Sequence, residues 1–231
     1  MTASAALEPD VQIDDLDNAP PDGQCLRRTL LTIIAVAALV LAGALGYALH
    51  GSSTSSSAAT PTAVDVGFAQ DMSTHHVQAT TMAGYERDTT TDPALKSLAT
   101  DIETSQQFQV GEMQGWLDQW DKSRNNPNQM SWMGMGMGIG PNALMPGMAT
   151  PAQMTKLESS TGKTLDILFL QLMIHHHQGG LQMAAYARDH GSNLSVIRLA
   201  GAMYALQSQE LVQMEQLLRQ LGGTPLPPPV H

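Results

Sequence analysis

The chain has 231 residues, a net charge of −10, one Cys, 15 Met and eight His. With 11 Lys+Arg against 21 Asp+Glu it has no basic footprint for nucleic acid. The single Cys excludes an intramolecular disulfide framework, thiolate zinc sites and Cys-ligated iron–sulfur clusters, which leaves Met and His as the unusual part of the composition.

Residues 1–28 are acidic and polar, with Glu8, Asp10, Asp14, Asp15, Asp17 and Asp22 and no hydrophobic periodicity, and are expected to be disordered. Arg27-Arg28 then precede Thr29–Leu49, an uncharged apolar stretch of 21 residues. At a rise of about 1.5 Å per residue it spans roughly 30 Å, a bilayer core. The arginines put the N-terminus in the cytoplasm and the rest of the chain outside. A signal peptide cleaved near Ala42-Gly43-Ala44 is the competing reading, which would make the protein secreted. The apolar run exceeds a usual signal core of about 7–15 residues, which favours an uncleaved, single-pass anchor. Cys25 reads as a cytoplasmic thiol, with palmitoylation as the alternative. Residues 50–61, rich in Ser, Ala and Thr, form a flexible tether.

Beyond the tether, sliding the chain on itself by 101 residues aligns 65–117 with 166–218, and sixteen of the 53 positions are identical. Asp65, Phe68, Met72, His75, His76, Met82, Ala83, Tyr85, Gln106 and Met113 meet Asp166, Phe169, Met173, His176, His177, Met183, Ala184, Tyr186, Gln207 and Met214. Each copy reads as two helices. The first runs over about 62–87, with Thr60 as cap and Pro61 at the first helical position. The second starts at Asp92-Pro93 and repeats Leu95, Leu98, Ala99, Ile102, Gln106, Gln109, Met113, Trp116, Leu117 and Trp120 at helical spacing. Its counterpart carries Val196, Leu199, Ala200, Met203, Gln207, Glu210, Met214, Leu217, Leu218 and Leu221. Short links make each pair an antiparallel hairpin, and two such hairpins bury their apolar faces against each other. The expected fold is all-α: a four-helix domain over 62–222, made of repeat one (62–122), a Met-rich crossover (123–162) and repeat two (163–222). Thr150-Pro151 caps a short helix, about 151–159, inside the crossover. A Pro-rich tail, 223–231, ends the chain as an exposed terminus.

The chemistry lies on the first helix of each copy. Met72, His75, His76, Ala79 and Ala83 form one helical stripe, as do Met173, His176, His177, Gly180 and Ala184, and the small residues leave room beside the imidazoles. Consecutive residues are about 100° apart, so one His of each pair points to the bundle centre and its neighbour to a groove between helices. Core histidines bonded to Gln106, Gln207 and Glu210 are the plain alternative. A tandem pair repeated in both copies and flanked by Met favours metal, because buried imidazoles must be satisfied. Imidazole with thioether, and no thiolate, points to copper and favours Cu(I), with another transition metal as the alternative. The primary ligands are then His75, His76, His176 and His177, the thioether ligands Met72, Met82, Met113, Met173, Met183 and Met214, and the orienting residues Gln106, Gln207 and Glu210. Met packing in the core is the alternative for the thioethers. Met130, Met133, Met135, Met137, Met145 and Met148, spaced by glycines, suggest a flexible thioether arm, or else a low-complexity linker, with Trp132 placed to stack on an ion. His175 is peripheral and His190 structural. No catalytic set is legible.

The strings Phe68-x-x-x-Met72-x-x-His75-His76-x-x-Ala79-x-x-Met82-Ala83 and Phe169-x-x-x-Met173-x-x-His176-His177, with Leu98-Ala99-x-x-Ile102-x-x-x-Gln106 and Gln207-x-x-Glu210-Leu211-x-x-Met214, resemble the bacterial domain of unknown function 305 family. The resemblance covers about 62–221. It implies a ferritin-like four-helix fold and, from some members, an exported copper-binding protein associated with copper tolerance. Gln109 stands where the family usually has Glu, and Val77-Gln78 and Gly179-Gly180 depart from its usual stretch after the His pairs. The expectation is therefore a membrane-anchored, extracytoplasmic protein that binds copper for sequestration, tolerance or delivery. Its partners would be the membrane, through 29–49, and the metal ion. A metal-dependent oxidoreductase and a non-metal envelope interaction module are the alternatives.

Overall fold

Reciprocal capping starts the first helix. The Thr62 backbone N–H donates to Asp65 Oδ2 at 2.8 Å, and the Thr62 side chain accepts from the Asp65 N–H, so α1 runs from Ala63 to Thr89. The start lies two residues beyond the expected Thr60-Pro61 cap. The local Thr62–Asp65 box sets this start, and Asp65 Oδ1 also accepts the N–H groups of Ser192 and Asn193, both at 3.0 Å, which ties the helix start to a distant loop. Burial opposes ionisation of Asp65, but these hydrogen bonds hold its carboxyl below the usual value. Asp92 caps α2 (Pro93–Gln119) through Ala94 N–H and Leu95 N–H, as the sequence predicts. Thr150 and Gln153 form a capping box on the short α3 (Pro151–Glu158). α4 runs over Gly162–His190, and α5 over Leu194–Gln220 with Asn193 as its cap.

This computed structural model describes residues 60–134 and 143–229. The expected disordered N-terminus (1–28), the anchor (29–49), nearly all of the tether, and Met135 and Met137 lie outside the described residues. Among the described residues every regular element is helical, and no helix is long and apolar enough to cross a membrane.

The four long helices form a bundle. α1 packs along α2, α4 packs along α5, and α1 meets α4 across the middle. Most of the expected inner faces are buried, with Leu199, Leu217 and Leu221 only partly so. Leu95, Leu98, Ala99, Ile102, Gln106, Gln109, Met113 and Leu117 are buried on α2, and Val196, Ala200, Met203, Gln207, Glu210, Met214 and Leu218 on α5. Full burial of side chains such as Phe68 and Phe169 stabilises the fold by about 1.5–3 kcal/mol each. Trp116 and Trp120 stack on each other at 6.0 Å at the edge instead of entering the core.

The crossover is built into the bundle at both described ends. Asp71 Oδ2 accepts from Met130 N–H (2.7 Å), Trp132 Nε1–H (2.8 Å) and Asn126 Nδ2–H (3.0 Å). The Trp132 ring lies on Gly67, where a Cβ would come within 2.4 Å of it, and packs edge-on to Phe68 and Tyr186. It is a packing plug held by α1 and α4. At the other end Gln78 grips Ala149 twice, donating to its carbonyl (2.9 Å) and accepting its N–H (2.7 Å). The Pro-rich tail folds back along α4: Gln171 donates to the Thr224 carbonyl at 2.7 Å, and Leu226 packs against the core.

Candidate metal centre

The four histidines of the tandem pairs lie on facing turns of α1 and α4, and all are buried. His75 and His176 face each other across that contact, their ring centroids 3.7 Å apart. His76 and His177 turn the other way, towards α2 and α5. His76 Nε2 lies 2.8 Å from Gln109 Oε1, and His177 Nε2 lies 2.8 Å from Glu210 Oε2. One imidazole of each pair therefore points to the centre and one to a groove, as the helical spacing predicts.

The hydrogen bonds decide where the ring protons sit. His75 Nε2 is 3.1 Å from the Pro146 carbonyl, and His176 Nε2 is 3.0 Å from the His75 carbonyl. A carbonyl only accepts, so in each case Nε2–H donates. Burial drives the His75 ring down to about pKa 4 and the His76 ring to about 3, and holds His176 well below the ordinary value. Near neutral pH these rings are uncharged, and with Nε2 protonated the Nδ1 atom carries a bare lone pair. The Nδ1 atoms of His75, His76 and His177 are buried and have no hydrogen-bond partner. Buried polar atoms are ordinarily partnered, so three orphan nitrogens in one small region are a chemical signal.

Thioethers are carried on the same helices. Met72 lies three residues before His75 and Met173 three before His176, spacings that are neighbours on a helix. Met82, Met173 and Met214 belong to one apolar cluster, and Met72, Met113 and Met183 to the other, each drawing on both hairpins. All six are fully buried. Met130 and Met145 of the crossover are buried in the second cluster, with Met133 and Met148 partly buried against it. Among the described residues, no three His, Cys, Asp or Glu side chains converge as a metal-holding group.

Two expected orienting residues do not bond the imidazoles. Gln106 has both amide atoms buried without partners, and so is Gln207 Oε1, which lies where a Cβ on Gly180 would approach to 2.7 Å. Glu210 does hold a ring, and Gln109 holds the equivalent one. The signal for Gln109 was available in the sequence, because His76–Gln109 and His177–Glu210 share a separation of 33 residues. The Pro146 contact was not available. It depends on a close approach in which Pro146 O lies 1.9 Å from where a Cβ on Gly179 would be, so only glycine fits. His190 is structural, as expected, donating to the Tyr186 carbonyl and stacking on its ring.

A family model described as "Domain of unknown function (DUF305)" matches residues 65–218. Among solved structures, a putative secreted DUF305 protein from Streptomyces coelicolor is 41% identical, with a TM-score of 0.66 over 71% of this chain and 97% of that one. A DUF305 fragment from Deinococcus radiodurans is 32% identical, with a TM-score of 0.60 over 69% of this chain and 98% of its own. CopM in a Cu(II)-bound form is 28% identical, with a TM-score of 0.55 over 68% of this chain and 96% of that one. In a Cu(I)-bound form CopM aligns at 25% identity and a TM-score of 0.54, over 69% of this chain and 98% of that one. No protein of curated function matches the chain in sequence.

Proposed function

This chain belongs to the DUF305 family, and on that premise we propose that it is an extracytoplasmic copper-binding protein, held to the membrane by residues 29–49, that sequesters or delivers Cu(I). The bundle is taken as ferritin-like, built from two duplicated hairpins. The observation that carries the reading is the set of orphan Nδ1 atoms on His75, His76 and His177, each on a ring whose Nε2 is already engaged with an oxygen. Imidazoles that ligate a metal commonly donate their other N–H to a carbonyl or carboxylate, which fixes the ring and strengthens the free nitrogen as a donor.

The donor set fits a soft ion. His75, His76, His176 and His177 supply neutral nitrogen, and Met72, Met82, Met113, Met173, Met183 and Met214 supply sulfur from both clusters. Thioether favours Cu(I) among the biological metals. Among the described residues three His or carboxylate side chains do not converge, and on this reading sulfur completes the coordination sphere. Bound copper would be held and released, while Gln109, Glu210 and the Pro146 carbonyl keep the rings oriented. The Cu(I)-bound and Cu(II)-bound forms of CopM support the choice of metal. The putative secreted relative supports the compartment.

The test is anaerobic titration of the purified chain against a coloured Cu(I) chelator. Micromolar or tighter binding is expected, and it should be lost when His75, His76, His176 and His177 are all replaced by Ala while helical circular dichroism is retained. Unchanged affinity in the folded quadruple variant would overturn the ligand assignment.

A further inference from the structure

One imidazole outside the buried set also has a fixed proton and a free nitrogen. His175 is half-buried on the outer side of α4, and its Nδ1 lies 2.9 Å from the Pro227 carbonyl. The carbonyl accepts, so Nδ1 carries the proton and Nε2 keeps the lone pair. This tautomer is the opposite of the one at His75 and His176. It is imposed by the returning tail, which Gln171 pins one turn earlier.

His175 lines a cavity of about 430 Å³ between the tail and the crossover. Its other walls include Met145, Met148, Gln153 and Leu226, so two methionines, Met148 partly exposed and Met145 nearly buried, border the space that the imidazole lines. The crossover is pressed onto α4 here. Gly147, at φ 81°, has its missing Cβ position 2.4 Å from the His175 carbonyl, so a larger residue would lift the strap away. The same four residues reach inward, because Pro146 between the two methionines accepts the Nε2–H of His75. One short segment thus borders the surface cavity on one side and the buried imidazoles on the other.

We propose that His175 Nε2, with the thioethers of Met145 and Met148, forms a surface entry site for a soft monovalent cation, Cu(I) or Ag(I), on the way to the buried histidines. The proposal rests on the copper reading above. Imidazole plus thioether in a partly open cavity suits an ion that tolerates low coordination and must move on. The transfer changes no oxidation state: a His–metal bond at the surface is exchanged for one inside, and the strap is the element the ion must pass.

The experiment uses the full chain and two probes. With Ag(I) as a redox-inert titrant, nitrogen NMR is expected to move the His175 Nε2 resonance in the early additions. Stopped-flow transfer from a coloured Cu(I) chelator is expected to slow at least several-fold in His175→Ala and in Met145→Leu/Met148→Leu, while the copper retained by the buried histidines is unchanged. The leucine pair preserves apolar bulk, so it tests sulfur separately from folding. Wild-type transfer rates in both variants, or an unmoved His175 resonance in a protein that fills with metal, would overturn this entry site and leave the copper reading standing. A wild-type chain that takes up neither ion would overturn both.

Discussion

The two hairpins place their groove-facing histidines alike and hold them with different chemistry. His177 meets the Glu210 carboxylate and His76 the Gln109 amide, both at 2.8 Å and both across 33 residues of chain. The backbone sets the distance in each half, and one side-chain atom sets the charge. A carboxylate polarises an imidazole more strongly than an amide does, so on the copper proposal the α4–α5 half would be the stronger donor side. A second difference lies two residues further along the same helices. Gln78 of α1 grips the crossover with two hydrogen bonds, whereas Gly179, at the equivalent position of α4, is empty so that Pro146 can touch the helix. A third lies at the far end, where buried Glu86 stands beside Asp166 and the equivalent position is Ala187.

The third difference predicts the largest effect. Burial, then the Asp166 carboxylate, raises the Glu86 carboxyl from 4.5 to about 8. A raised folded pKa means that stability is fully present below 4.5 and is lost as pH rises through 8. Above that the metal-free protein should be weaker by about 5 kcal/mol, and Glu86→Gln should remove the alkaline loss in urea unfolding measured from pH 5 to 9. The histidines act at the other end of the scale. Because burial lowers His75 from 6.5 to about 4, its stabilising contribution is intact above 6.5 and is lost as pH falls towards 4. His75 alone accounts for about 3 kcal/mol, and His76 and His176 act in the same direction. Flat stability between pH 7 and 4 would contradict the buried, neutral rings.

Breaking the crossover contact should cost less. Gly179→Ala places a methyl on the Pro146 carbonyl, and the misfit should destabilise by roughly 1–3 kcal/mol in thermal or urea unfolding, whereas the same change at exposed Gly111, where nothing lies within 4 Å, should not destabilise. Equal effects at the two glycines would remove the argument for a tight strap.

Exchanging the ring partners is the finest probe. Glu210→Gln makes the two halves alike and should weaken Cu(I) binding by about 10–100-fold, with little change in stability. Gln109→Glu should strengthen it, and the double exchange should return affinity close to the starting value. If Glu210→Gln leaves affinity unchanged, the asymmetry between the halves has no bearing on metal.

Much of this was legible in the chain itself. Periodicity located the helices, Asp92-Pro93 and Thr150-Pro151 marked two starts, and the tandem His pairs announced one inward and one groove-facing ring each. These are local properties, set by the helical repeat and by capping within a few residues. The exchange of Gln106 and Gln207 for Gln109 as a ring partner, the role of Trp132 as a plug and the return of the tail were decided by contacts between residues far apart in sequence. So was the position of each ring proton. Whether Nδ1 or Nε2 of a histidine is free depends on which oxygen reaches it, and the Pro146, His75 and Pro227 carbonyls arrive only once the bundle has closed. The amino-acid order determined which donors this protein owns, and the tertiary structure determined which of their lone pairs remain unspent.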